Sequence, residues 1–214
     1  MFSVIFPGQG SQVVGMSSDL YNKFELIKKL YKEADEVLNY PISKLILNGP
    51  KEELDLTENT QPAIFLVGYS IFQILKEEFN IDLNKAKFFA GHSLGEYTAL
   101  ACAGALDFPS TLKILKLRGR AMQTAVPKGE GGMLAILGSD IDTIEKNFEE
   151  NKSQFKCFIA NDNSNGQIVA SGTMENINKL SKDLTSKNIK NIKLSVSAPF
   201  HCNLMNKATE IMKS

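Results

Sequence analysis

The chain has 214 residues, 43% of them hydrophobic, which is enough for one large domain or two small ones around a buried core. Lys and Arg total 24, as do Asp and Glu, so a net charge of zero gives no general electrostatic case for a nucleic-acid or anionic-membrane partner. The three cysteines lack metal-ligand spacing, and no leader or membrane-length apolar run is evident, so we expect free thiols, no metal and a cytoplasmic protein.

The N-terminal apolar run 3–6 predicts a short buried strand, and residues 7–12 predict a glycine-rich loop after it. A dinucleotide-binding fingerprint would need a glycine where Val13 stands, and no ribose-binding acid follows at the required distance. We favour a loop whose backbone N–H groups contribute to a catalytic site. A plain structural turn is the alternative.

Two helices are predicted before the next strand. Residues 17–38 carry apolar side chains at helical spacing on one face and charged side chains on the other, which is typical of a surface helix. The polar run 57–62 predicts the start of a second, more apolar helix that ends near Phe79 and packs against a sheet.

The most informative stretch is an apolar run, 88–90, that ends in the pattern Gly-x-Ser-x-Gly and continues as a helix over 94–105. A serine between a strand and a helix lies in a tight turn that exposes its hydroxyl. The N-terminus of the helix directs free N–H groups and a positive dipole end at an oxyanion formed on an attacked acyl group. We therefore interpret Ser93 as a nucleophile, with a chance match in a loop as the alternative.

The next predicted helix, 110–125, carries an arginine on its apolar face. Arg118 lies at helical spacing from Ile114 and Met122, whereas Arg120 lies on the polar face. Burying a guanidinium without a partner is costly, so Arg118 needs a carboxylate. Spacing alone favours a structural carboxylate, and a substrate carboxylate is the alternative.

The glycine-rich segment 126–132 is a candidate domain boundary. After it, the pattern predicts the order β-α-β-β-α-β of ferredoxin-like domains, over 133–137, 141–151, 156–160, 167–171, 174–187 and 189–196. The polar run 161–166 predicts the hairpin between the middle strands. Alternatively, Asn161 and Asn163 line a cleft.

The sequence has two histidines, and only one suits the role of a distant base. His92 directly precedes Ser93, so its side chain points in a different direction. His201 follows a proline turn just before a last helix over 203–213, and the order serine before histidine is that of enzymes with such a serine turn. We interpret His201 as the base, with a structural histidine as the alternative.

These features together resemble the malonyl-CoA:acyl-carrier-protein transacylases and the acyltransferase domains of polyketide synthases, and the free-standing bacterial type most. The matching segments span nearly the whole chain in order: Phe-Pro-Gly-Gln-Gly-Ser-Gln at 6–12, Thr-Gln-Pro-Ala at 60–63, Gly-His-Ser-Leu-Gly-Glu at 91–96, Arg-Gly-Arg-Ala-Met-Gln at 118–123, Gly-Gln-Ile-Val-Ala-Ser-Gly at 166–172 and Ser-Ala-Pro-Phe-His at 197–201.

The resemblance implies an α/β fold in two parts. The larger is an α/β-hydrolase-like catalytic domain with a mainly parallel sheet and a nucleophile elbow, formed by residues 1–127 and 198–214. The smaller is an inserted ferredoxin-like domain, residues 128–197. Members of the family continue well beyond the position of His201 before they end, so we expect the C-terminal part of the large domain to be missing.

The resemblance also implies ping-pong transfer of a malonyl group from malonyl-CoA to the phosphopantetheine thiol of acyl-carrier protein, in fatty-acid biosynthesis. Ser93 would be the nucleophile and His201 the base, backbone N–H groups of Gln12 and Leu94 would form the oxyanion hole, and Arg118 would bind the malonyl carboxylate. The base would be oriented by a backbone carbonyl from a later segment. We expect the enzyme to need no cofactor and to be a monomer.

Five further residues are candidates for lining the cleft: Gln9, His92, Met122, Asn161 and Asn163. A serine hydrolase or thioesterase would share Ser93 and His201 but would have no use for Arg118 on an apolar face. An inactive truncated fragment is the third interpretation.

Overall fold

The first of two compact units, Met1–Arg120, is organised around two parallel strands, β1 (Ser3–Phe6) and β2 (Phe88–Gly91). The computed structural model describes residues 1–127, 129–194, 196 and 198–213. Ser3 pairs with Phe88 and Phe6 with Gly91, so both strands end at the same edge. The loops that follow the two strands therefore leave the pair side by side.

Seven helices within the described residues begin in this unit, together with a short 3-10 turn at Leu83–Lys85. They are α1 (Ser18–Lys23), α2 (Glu25–Leu38), α3 (Ile42–Asn48), α4 (Lys51–Leu54), α5 (Thr57–Glu77), α6 (Gly95–Cys102) and α7 (Phe108–Thr124). The single helix predicted over 17–38 is wrong, because Phe24 adopts an extended conformation between α1 and α2. No element is predicted from the sequence in the segment that contains α3 and α4.

The core of the first unit forms around α5. Phe65 is fully buried, and its ring centroid lies 5.6 Å from those of both Tyr69 and Phe108. Because Phe108 is the first residue of α7, these rings join α5 to α7. The position of the side chains on α7 therefore depends on this aromatic packing.

The second unit, Ala121–Ser214, contains an antiparallel sheet with the strand order β4-β5-β3-β6. Its elements have the predicted order: β3 (Gly131–Leu137), α8 (Ile141–Glu150), β4 (Cys157–Ser164), β5 (Gln167–Thr173), α9 (Met174–Ser186) and β6 (Lys190–Lys193). Buried side chains of α8 and α9, among them Ile144 and Leu180, pack on Leu134 and Ile168 of the sheet. Part of the strand predicted over 189–196 lies outside the described residues, at Ser195.

The predicted hairpin between the middle strands is present, but its loop is shorter than the predicted 161–166. Strand β4 continues through Asn161 and Asn163 to Ser164, with two irregularities in its pairing with β5. The turn is only Asn165-Gly166, a dipeptide typical of two-residue hairpins, and Gly166 has φ 86°. At the end of this edge strand, Asp162, Asn163 and Ser164 are exposed to solvent.

The predicted domain boundaries differ from the observed grouping of contacts. Gly131 and Gly132, predicted as part of a linker, begin β3, and the boundary positions Lys128 and Ser197 lie outside the described residues. The segment from Ala198 onward includes a 3-10 turn (Asn203–Met205) and α10 (Asn206–Lys213).

This C-terminal segment, assigned by the sequence to the large domain, belongs to the second unit by its contacts. The physical reason is an apolar cluster in which Phe200 and Met205 pack with Met133 and Val169. The division into a large domain, residues 1–127 with 198–214, and a small domain, residues 128–197, stays a prediction. Within the described residues, no helix combines the length and apolarity that a membrane-spanning segment needs.

We expect Phe65→Ala to lower the free energy of unfolding of the first unit by about 3–5 kcal/mol, because it removes a buried ring that joins two helices. Leu117→Ala on α7 is the control, since Leu117 is 47% exposed and such a change alters stability by about 0.5 kcal/mol at most. Urea unfolding followed by circular dichroism measures both. If the two variants lost the same free energy of unfolding, the core of the first unit would not form around α5.

Candidate active site

Ser93 lies in the turn between β2 and α6, with φ 54°. Positive φ is uncommon outside glycine and costs on the order of 1–3 kcal/mol, which the surrounding structure must offset. The strand before the serine and the helix after it are both present as predicted. Ser93 therefore lies in a strained turn between a strand and a helix.

Two glycines make this turn possible. A Cβ on Gly91 would lie 1.9 Å from the carbonyl carbon of Gly95, and a Cβ on Gly95 would lie 2.5 Å from the Phe6 carbonyl oxygen. In both cases the obstacle is backbone, which cannot move aside as a side chain can. The pattern Gly-x-Ser-x-Gly is thus a packing requirement at this position.

The loop after β1 lies against the serine turn. The His92 N–H donates to the Phe6 carbonyl at 3.1 Å, and a Cβ on Gly8 would lie 2.6 Å from His92 Nδ1. His92 itself is exposed. The end of β1 and the start of the following loop thus lie against the turn that carries Ser93.

Side-chain hydrogen bonds hold this loop in shape. Gln9 Nε2 donates to Thr57 Oγ1 at 3.2 Å, and Gln12 Nε2 donates to Asp55 Oδ1 at 2.9 Å. The Gln12 side-chain oxygen accepts from the Gly10 N–H at 2.8 Å. The bond from Gln12, followed by that from Lys51, lowers the pKa of Asp55. Both glutamines therefore connect the loop to the region where α5 begins.

The backbone N–H groups of Gln12 and Leu94 donate to no acceptor within the part of the chain that the structure describes. Leu94 directly follows Ser93 at the N-terminus of α6, and its side chain is buried. Unpaired N–H groups near a helix start are suited to bind a negatively charged oxygen. These are the two groups that the family resemblance implies as oxyanion donors.

Arg118 contacts Ser93 directly. Its Nη2 donates to Ser93 Oγ at 3.2 Å and its Nη1 donates to Gln61 Oε1 at 2.7 Å. The guanidinium carbon lies 5.5 Å from the centroid of the Tyr97 ring. Arg120 is exposed, in agreement with the predicted polar face. The inward-facing arginine and the serine, 25 residues apart in sequence, thus meet at one point.

The partners of Arg118 are electrically neutral. Burial lowers the pKa of Arg118, and interactions with Tyr97 and the exposed Glu96 act in the opposite direction. None of the ion pairs among the described residues includes Arg118. The structural carboxylate that the helical spacing favoured is therefore not found there, and the guanidinium has hydrogen-bonding capacity for an anionic ligand.

Helix α7 can place Arg118 here because it approaches α5 closely at Gly119. A Cβ on Gly119 would lie 2.5 Å from the Thr57 carbonyl oxygen and 2.6 Å from the Glu58 Cα. The first turns of α5, which carry Gln61, therefore lie next to Arg118. Lys116 on the same helix donates to Asn59 Oδ1 at 2.7 Å, which adds to this contact.

His201 belongs to the second unit, where it is exposed and has φ 55°. The preceding Phe200 is buried, and its carbonyl accepts a hydrogen bond of 2.6 Å from the buried Ser171 hydroxyl. Pro199 packs on Gly131, where a Cβ would lie 2.3 Å from the proline ring. The segment that carries His201 is thus fixed to the sheet of its own unit.

The other predicted lining residues fall in different places. Met122 is buried in the apolar cluster of the second unit, and Asn161 and Asn163 lie on β4. Gln61 and Tyr97, which contact Arg118, were not predicted as site residues. Gln61 lies in the matching segment 60–63, but the sequence pattern indicated only the start of a helix there. In the described residues no group of three or more potential ligands is placed to hold a metal ion.

Comparison with known proteins gives a consistent assignment. Residues 3–214 match the family described as the acyl transferase domain. The malonyl CoA-acyl carrier protein transacylase of Haemophilus influenzae is 41% identical over 98% of this chain and 67% of its own length.

Two solved structures are also similar. The malonyl CoA-acyl carrier protein transacylase of Coxiella burnetii is 38% identical with a TM-score of 0.93, over 99% of this chain and 66% of that one. A malonyl-transacylase in complex with a type II PKS acyl-carrier protein has 38% identity and a TM-score of 0.92, over 99% of this chain and 68% of that one. The chain thus spans about two thirds of the length of these relatives. It has a mixed α/β fold and belongs to the acyl transferase domain family, among the malonyl CoA-acyl carrier protein transacylases.

Proposed function

We propose that the protein transfers a malonyl group from malonyl-CoA to the phosphopantetheine thiol of acyl-carrier protein through a malonyl ester on Ser93. The observation that carries this proposal is the contact between Arg118 and Ser93, at 3.2 Å. In a malonyl thioester one methylene separates the reacting carbonyl carbon from the carboxylate. An arginine beside the nucleophile is therefore within reach of that carboxylate and can bind it through two parallel hydrogen bonds.

In the first half of the reaction, Ser93 Oγ attacks the thioester carbonyl carbon while His201 takes the hydroxyl proton. The negative charge on the carbonyl oxygen is stabilised by the N–H groups of Gln12 and Leu94, which lack acceptors in the described part of the chain. The intermediate then breaks its carbon–sulfur bond, and CoA leaves as the thiol with the proton from His201. The product is malonyl-Ser93.

In the second half, the phosphopantetheine thiol of acyl-carrier protein gives its proton to His201 and attacks the ester carbonyl carbon. The same two N–H groups stabilise the second oxyanion. The carbon–oxygen bond to Ser93 breaks, and the serine recovers its proton from His201. The relative bound to an acyl-carrier protein supports this choice of acceptor.

Arg118 also accounts for the choice of malonyl over acetyl groups. An acetyl group would leave the partly buried guanidinium without its anionic partner, and this would weaken binding of the wrong substrate. A generic serine hydrolase gains nothing from such an arginine. The position of Arg118 thus favours the transacylase over the hydrolase or thioesterase alternative.

The finer features of the fold belong to the same proposal. We infer that the strand–serine–helix turn is the nucleophile elbow of an α/β-hydrolase-like domain, and that the second unit contains a ferredoxin-like domain. The parallel pairing of β1 with β2 and the order β4-β5-β3-β6 support these assignments. Several expectations stay predictions. They are the missing C-terminal part, the lack of a cofactor, the monomeric state and the cytoplasmic location. The same holds for the cleft-lining roles of Gln9, His92, Met122, Asn161 and Asn163.

We expect Arg118→Ala to lower kcat/KM for malonyl transfer by roughly 10²–10⁴-fold, because the substrate carboxylate loses its charged partner. Labelling of Ser93 by a generic acylating agent should be retained. Arg120→Ala, which removes an exposed arginine two positions along the same helix, is the matched control. Malonyl transfer at the native rate in the Arg118 variant would sink the assignment of the carboxylate site.

The two histidines can be separated by the rate of Ser93 acylation from malonyl-CoA. We expect His201→Ala to slow acylation by roughly 10²–10⁴-fold, as the loss of a general base does. His92→Ala should slow it by less than about tenfold, because its side chain is not the base. Equal effects, or a larger effect at His92, would show that the base is wrongly assigned.

A further inference from the structure

Gln61 makes the shorter of the two hydrogen bonds to the Arg118 guanidinium. Its side-chain oxygen accepts from Nη1 at 2.7 Å, whereas Ser93 Oγ accepts from Nη2 at 3.2 Å. Gln61 is only 1% exposed and lies in the early part of α5. Because α5 meets α7 at Gly119 through backbone atoms, Gln61 is held at a fixed place relative to Arg118.

The chemical type of this acceptor matters more than its presence. An amide oxygen can fix the orientation of a guanidinium, but it leaves the positive charge uncompensated. A carboxylate at the same position would form a charge-assisted pair and neutralise the arginine before any substrate arrived. A site that must bind an anionic group through arginine therefore benefits from a neutral orienting partner.

We propose that Gln61 is a positioning residue for substrate specificity: its amide oxygen orients Arg118 toward Ser93 while leaving the charge of the arginine available to the carboxylate of the acyl group. This inference rests on the proposed function and extends it to a residue outside the reacting atoms. Gln61 acts through Arg118, whose Nη1 it binds at 2.7 Å. Its effect should therefore appear in the choice between acyl groups.

The decisive variant is Gln61→Glu, which keeps the size of the side chain and adds a negative charge. We expect the ratio of kcat/KM for malonyl-CoA to that for acetyl-CoA to fall by at least about tenfold, since the new carboxylate competes with that of the substrate. The fall should come from a higher KM for malonyl-CoA, with kcat changed much less. If Gln61 had a purely structural role, kcat/KM would instead fall equally for malonyl-CoA and acetyl-CoA.

A second variant, Gln61→Met, removes the acceptor without adding charge. We expect kcat/KM for malonyl-CoA to fall by about 3- to 10-fold, as the loss of one orienting hydrogen bond would cause, while malonyl stays preferred over acetyl. This variant keeps the inference testable if the buried glutamate prevents folding. Native kinetics in a folded Gln61→Met protein would overturn the proposal.

Gln73→Glu is the control, because it places the same charge about 18 Å further along α5. Gln73 is partly buried, whereas Gln61 is fully buried. The malonyl-to-acetyl ratio of the Gln73→Glu variant should stay within about twofold of the native value, and thermal unfolding checks that each variant is folded. If Gln61→Glu keeps the native ratio, Gln61 does not set specificity. If the unmodified protein itself shows no malonyl transfer, the proposed function fails, so the two failures are distinguishable.

Discussion

The site depends on a positive charge that lies beside a nucleophile without a carboxylate partner in the described part of the chain. Arg118 is partly buried, and its close contacts are an amide oxygen, a hydroxyl and an aromatic ring. Burial of a charged group is costly unless another group compensates it. The protein bears this cost at a position where a substrate carboxylate can supply the compensation. In the proposed function, this uncompensated burial is what makes the site select an acyl group that carries a carboxylate.

Close backbone contacts make this arrangement possible. Gly95 lets the serine turn approach the loop after β1, and Gly119 lets α7 approach α5. Without the contact at Gly95, the loop that carries Gln12 and the turn that carries Leu94 would not lie next to each other. Without the second, Gln61 would not reach Arg118. The positions of Ser93, Arg118 and Gln61 therefore depend on two places where only the hydrogen atom of a glycine fits.

Local patterns in the sequence predict the parts of this site that are determined locally. The turn at Ser93 follows from a strand, a glycine pattern and a helix, and the inward direction of Arg118 follows from helical periodicity. The contact with Gln61 depends on how two helices pack, which no local pattern contains. The run from Asn161 to Ser164 was predicted as a turn because its polar composition is typical of loops. In an edge strand the same side chains face solvent, so composition alone does not separate the two cases.

The most direct test of the account is the mass of the intact protein after mixing with malonyl-CoA, followed by peptide mapping. We expect a gain of one malonyl group on Ser93, no such gain in Ser93→Ala, and much less acylation from acetyl-CoA at the same concentration. A folded protein that acquires no malonyl group, or that acquires it on another residue, would contradict the central claim that Ser93 and Arg118 form a malonyl-binding active site.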